Sequence, residues 1–160
     1  MIRLNIDTKK CTTELLLRNT FDEFFLIEGT ITTFNEFHID GYLHPDFFEE
    51  SPERKYSLWR EVREYCFSII KGKRTPLNFK FIFSLSPTAI RKFLLTQDLD
   101  FQPENVQGLY LNLLFDGTSL TCITGTSLTL FTLDKSLERA WDKWVRNFFE
   151  AHQISNNDVF

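Results

Sequence analysis

At 160 residues, with 42% hydrophobic and 25% charged side chains, the chain has the composition of a globular protein and length enough for one core without disulfides or metals. Its formal net charge of −4 argues against bulk binding to nucleic acid or to an anionic membrane. Apolar runs such as 24–27 fall far short of the roughly 20 residues that span a bilayer.

Ile2, Leu4 and Ile6 alternate with Arg3 and Asn5, which predicts a short strand. Asp7 or Thr8 caps a helix over 9–18 with Cys11 and Leu15 on its buried stripe. Residues 24–31 read as a largely buried strand and Asn35-Glu36 as a turn. Phe37, Ile39, Gly41 and Leu43 then share one face of a further strand, which Pro45 ends because it has no amide to donate. Ser51-Pro52 is a helix-start signature, a capping hydroxyl before a proline. Trp59, Val62, Cys66, Ile69 and Ile70 follow at helical spacing, and Gly72 terminates that helix.

Leu77, Phe79, Phe81, Phe83 and Leu85 alternate strictly, as a strand with one face in the core does. Ser86-Pro87 opens another capped helix with Ile90, Phe93 and Leu94 inward. Beyond a loop over 97–107, Leu109, Leu111, Leu113 and Phe115 form a strand. Asp116-Gly117 returns it as a two-residue hairpin into Leu120, Cys122 and Thr124. Gly125 bends the chain before 128–133, and Asp134 caps a last helix carrying Trp141, Trp144, Val145, Phe148 and Phe149. Beyond His152 the sequence reads as a polar, frayed tail.

These elements predict a single α+β domain over 1–160, a mainly antiparallel sheet packed by four helices, with most of the 18 Phe in the core. The segments 1–72 and 77–150 each read strand, helix, strands, helix. That order fits an internal duplication, and it also arises by chance alternation. Cys11, Cys66 and Cys122 are widely spaced and odd in number, which suits reduced, buried thiols in the cytoplasm. The start of the chain lacks the apolar core and cleavage site of an export signal.

Two constellations could carry chemistry. In His38-Ile39-Asp40-Gly41-Tyr42-Leu43-His44, side chains alternate, so His38, Asp40, Tyr42 and His44 share the polar face of a strand. Imidazoles, a carboxylate and a phenol in one row could bind a transition metal or supply an acid–base pair, with His38 and Asp40 close enough to share an ion. The plain alternative is the solvated face of a one-sided sheet. Lys71, Lys73 and Arg74 form a basic loop over 71–76 that could hold a phosphate or an acidic partner. A P-loop is excluded: position 67 is Phe where that motif needs glycine, Arg74 follows Lys73, and a strand comes next. The plain alternative here is a helix C-terminus that favours cations.

The segment 34–44, the 71–76 loop and Thr124-Gly125-Thr126-Ser127 running into 131–137 resemble an uncharacterised bacterial family, a domain of unknown function. The resemblance covers nearly the whole chain and implies no activity or site. Residues 109–126, with Asp116-Gly117 and Leu120-Thr121-Cys122-Ile123-Thr124, are similar to a strand pair of the sliding DNA clamps, although Ser127 stands where clamps usually carry Asp. That likeness implies DNA-facing cations at Lys9, Lys10, Arg18, Arg91 and Lys92. Together these readings point first to a non-enzymatic binding or interaction domain for a protein partner or a second copy. It would have no cofactor and no membrane contact. The alternatives are a small metal-dependent enzyme using His38, Asp40 and His44, and a clamp-like nucleic-acid binder.

Overall fold

Alternation at 79–83 puts Phe79, Phe81 and Phe83 on one side of a strand, and in the computed structural model, which describes residues 1–159, all three rings are buried. Their strand, β5 (Asn78–Ser84), belongs to an antiparallel sheet with β1 (Arg3–Ile6), β2 (Phe25–Thr32), β3 (Glu36–Asp40), β4 (Ser57–Leu58), β6 (Val106–Phe115), β7 (Leu120–Leu128) and β8 (Asn156–Asp158). The order across the sheet is β3-β2-β5-β6-β7-β1-β8, with β4 on the β3 side of β2. Four helices complete the α+β fold: α1 (Thr8–Leu16), α2 (Trp59–Ile70), α3 (Pro87–Thr96) and α4 (Ser136–Ala151). Among the described residues no helix is long and apolar enough to cross a membrane.

Register carries the phenylalanine side across the sheet. Phe83 lies opposite Leu111, Phe81 opposite Leu113, and Phe79 opposite Phe115. Leu111, Leu113 and Phe115 in turn face Thr124, Cys122 and Leu120, and Leu4 and Ile6 pair with Cys122 and Leu120. A one-residue slip would turn all of them out to water, so this register is strongly specified. Trp59, the first residue of α2, meets Phe81 and Phe83 edge-on at 5.1 Å each and donates its indole N–H to the Leu15 carbonyl at 2.8 Å. It therefore joins α1, α2 and the sheet. Trp141 of α4 donates to the Tyr110 carbonyl at 2.8 Å and meets Phe93 of α3 at 5.8 Å. Along α4, Trp141, Trp144 and Phe148 stack in series, at 5.0 and 5.4 Å. Two caps act as expected, Asp7 accepting from the Lys10 amide and Ser86 from the Ala89 amide, whereas the N-cap of α4 is Lys135 and Asp134, one residue earlier, accepts the Ser136 amide.

The structure corrects several sequence expectations. Ser51-Pro52 starts no helix; α2 begins at Trp59, and the Glu61 carboxylate accepts the Leu58 amide at 2.8 Å to satisfy its first turn. That contact is the glutamate half of a capping box, made three residues from the amide it accepts. The β6–β7 hairpin turns through 116–119, because pairing resumes only at Phe115–Leu120. Asp116 Oδ1 accepts the Thr118 and Ser119 amides at 2.9 and 2.8 Å, which makes the four-residue loop self-supporting. Leu77 precedes β5 and is exposed. Gly125 does not bend the chain, since β7 runs through it to Leu128, and Leu130, Phe131 and Leu133 beyond it stand exposed.

The expected frayed tail returns to the sheet. Ile154 is buried, β8 pairs with β1, and the Asp7 amide donates to the Ser155 carbonyl at 2.9 Å. The two segments compared as repeats share their element order but enter the sheet differently. β5 lies beside β2 and β6, while its counterpart β1 lies beside β7 and β8.

Candidate functional site

Two depressions flank the core. The first is an apolar groove of about 420 Å³ at the end of the sheet nearest the β6–β7 turn. One wall is α1, from Thr8 and Lys9 to Leu16 and Leu17, and the other is Phe67 and Ile70 of α2. Phe79 and Phe115 form the floor, and Thr75 and Pro76 close one end. The groove exists because α2 stops at Ile70 and the chain then runs as a loop to β5, so the first ring of β5 and the last of β6, both largely buried, lie at its floor between the two helices. Leu17 is 58% exposed at the rim.

The basic loop singled out in the sequence borders this groove. Lys71 follows Ile70, and its Nζ sits 5.9 Å over the Phe67 ring, a cation–π distance. Lys73 and Arg74 precede Thr75 and are exposed. Gly72, with φ at +149°, lets the chain turn out of the helix there. Among the described residues Lys9, Lys71, Lys73 and Arg74 make no ion pair, and no Asp or Glu lines the groove.

The second depression is a cleft of about 670 Å³ where the chain segments around Tyr56, Ile90 and Glu104 meet β2, β5 and β6. Phe25, Ser84 and Ile90 are buried in it, and Tyr56 and Tyr110 line it. Its mouth carries both signs, Glu53 and Glu104 against Lys55 and Arg91. Arg54 is withdrawn by its two-pronged pair with Glu61. The Tyr110 ring lies over Gly108, where a Cβ would fall 2.3 Å from Cζ and 2.5 Å from the hydroxyl. Burial, and then the neighbouring Tyr56, raise the Tyr110 phenol above its ordinary range. Gly108→Ala therefore swings a movable ring away from the strand. The expected results are a stability loss of about 1 kcal/mol and a Tyr110 phenol that ionises at lower pH, read by ultraviolet absorbance titration. An unchanged titration would refute the geometry.

The His38–His44 row keeps its alternation, with His38, Asp40, Tyr42 and His44 exposed while Phe37, Ile39, Gly41 and Leu43 turn inward. His38 and Asp40 are on β3, an edge strand, with His38 opposite Thr30 on β2. The strand ends at Asp40, whose carboxylate accepts the Tyr42 amide at 2.9 Å, and His44 leads into a turn at 45–47. Tyr42 pairs with Tyr56 and meets the ring of His44 at 5.6 Å. Through Tyr56, 6.1 Å from Phe25, the row touches only the rim of the cleft. Among the described residues no three His, Cys, Asp or Glu side chains gather where they could hold a metal ion, the set with His38, Asp40 and His44 included.

Other candidates have structural work. Lys10 and Arg18 pair with Glu14 at 2.9 and 3.5 Å, and the Thr20 hydroxyl donates to the same carboxylate. That hydroxyl first, and Lys10 next, hold Glu14 below the usual carboxylate range. Arg91 is at the cleft mouth, while Lys92 lines a separate hollow beside Trp144. The Thr124 hydroxyl bonds the Ile2 amide at 2.9 Å and Asp142 at 2.6 Å. Burial pushes all three thiols up, Cys66 to about 12, which makes them packing groups and not nucleophiles.

Residues 14–157 match the model of a family described as a family of unknown function (DUF5721), and the chain belongs to that family. Comparison with curated proteins and with solved structures gave no match.

Proposed function

We propose that this chain is a binding domain for a protein partner and that the groove between α1 and α2 is its contact site. The observation that carries the reading is an open apolar channel floored by Phe79 and Phe115 and rimmed by the exposed Leu17. Apolar surface left at the end of a well-packed core marks an interaction site. A channel walled by helices suits an amphipathic helix, whose apolar face enters at helical spacing. From Thr8 to Leu17 the α1 wall is about 13 Å long at 1.5 Å per residue, which accepts two to three turns of a docked helix.

The test uses a neutral peptide of about four helical turns, leucine on one face and glutamine on the other. Titrated into labelled protein, it should shift amide resonances of α1, α2 and 75–79. Leu17→Gln should weaken binding about tenfold, the loss of one well-buried leucine contact, while leaving melting unchanged because the side chain is exposed in the free protein. Shifts confined to the cleft around Tyr110, or none, would overturn the reading.

A further inference from the structure

We infer that the groove selects an acidic partner segment, an amphipathic helix with Asp or Glu flanking its apolar face; this rests on the groove being a contact site. Charge complementarity carries it. The chain as a whole is acidic, with 22 Asp and Glu against 18 Lys and Arg. Around the groove the balance reverses: Lys9 on the α1 wall and Lys71, Lys73 and Arg74 beyond the α2 wall make no ion pair among the described residues, and the two carboxylates that adjoin the lining, Asp7 and Asp116, are occupied by the Lys10 amide and by the Thr118 and Ser119 amides.

Cations beside an apolar channel divide the work of binding. The channel buries leucine-like side chains and supplies most of the affinity. The rim cations steer an acidic segment in and penalise a basic one. Lys71 has a fixed station: with its ammonium over Phe67, it can stay against the ring and reach a carboxylate at the mouth. Lys73 and Arg74 are free to turn toward a bound helix because Gly72 and Pro76 bracket a short exposed loop. The cleft carries both signs in its lining, Glu53 and Glu104 beside Lys55 and Arg91, while the groove lining carries Lys9 and no carboxylate.

The experiment compares three peptides of the same leucine face with glutamate, glutamine or lysine on the polar face, by calorimetry or fluorescence anisotropy. In low salt the glutamate peptide should bind roughly tenfold tighter than the glutamine peptide, as several exposed ion pairs allow. The lysine peptide should bind more weakly than either. The preference should shrink as salt shortens the screening length from about 10 Å at 0.1 M to about 3 Å at 1 M. In the combined variant Lys71→Gln, Lys73→Gln, Arg74→Gln, the glutamate peptide's affinity should fall to that of the glutamine peptide. Equal binding of glutamate and glutamine peptides by the wild type would overturn the acidic selection and leave the groove reading standing. Failure of all three to bind would overturn both.

Discussion

Gly41→Ala lowers the melting temperature by roughly 10 °C or more, the largest effect expected of any single methyl in this chain. A Cβ at Gly41 would fall 1.7 Å from the Leu26 carbonyl oxygen and 2.9 Å from that of Ile27. Both obstacles are backbone, so no side-chain rotation relieves them. They belong to the stretch of β2 where pairing with β5 slips between Leu26 and Glu28. Gly41 also donates its amide to the Ile27 carbonyl at 2.9 Å and accepts the Ser57 amide at 2.8 Å, so it fastens the end of β3 to both β2 and β4. Moving it far enough for a methyl stretches both bonds. Overpacking at about 3 kcal/mol plus about 1 kcal/mol of weakened hydrogen bonding is a large share of the roughly 5–15 kcal/mol that holds a domain. Gly125→Ala is the control. Its Cβ would meet only Tyr110 Cβ, at 3.8 Å, within the same sheet. That variant should melt within about 2 °C of wild type, and a Gly41→Ala variant doing the same would disprove the close approach.

Gly41 also shows how far the sequence could be read. The alternation of Phe37, Ile39 and Gly41 placed it on the inward face of a strand, which is correct in direction. That only glycine fits is a property of β2's carbonyls, which lie many residues earlier in the chain. The long periodic segments were readable throughout: β5, β6 and the last helix carry their burial in their own spacing. One misreading was local and one was not. Ser51-Pro52 looked like a cap, while Glu61, three residues past Leu58, takes that role, and residues 154–158 looked polar and loose until β1 offered them an edge. No local rule announces β1.

The candidate site was half legible for the same reason. Lys71, Lys73 and Arg74 stood out as a basic loop, but the groove they border is made from three elements whose apolar residues all read as core. One signal was available. Leu15, Leu16 and Leu17 are consecutive, and at 100° per residue they sweep about 200° of a helix, more than one core-facing stripe can bury. Leu15 and Leu16 are buried, and Leu17 is left outside. The His38–His44 row keeps the alternation read from its period beyond the end of β3 at Asp40, but among the described residues no three ligand side chains gather there for a metal ion.

Trp59→Ala should abolish cooperative folding or bring the protein to its edge, and Trp59→Phe should separate the reasons. The indole is fully buried between the Phe81 and Phe83 rings and α1. Its removal costs about 3–5 kcal/mol in lost packing and cavity, and it strips the Leu15 carbonyl of its 2.8 Å donor. Phenylalanine restores most of the apolar volume and none of the hydrogen bond, so its cost should be about 1–3 kcal/mol. The consequence for function follows from where that bond sits. It ties α1 to the first turn of α2, and these two helices are the walls of the groove. Trp59→Phe should therefore remain folded by circular dichroism, melt several degrees lower, and show faster hydrogen exchange in α1 than in β5. It should also bind the leucine-faced peptides more weakly although Trp59 does not line the groove. Wild-type peptide affinity in a Trp59→Phe protein with accelerated exchange in α1 would mean that the groove's shape does not matter to binding, and the contact site would have to lie elsewhere.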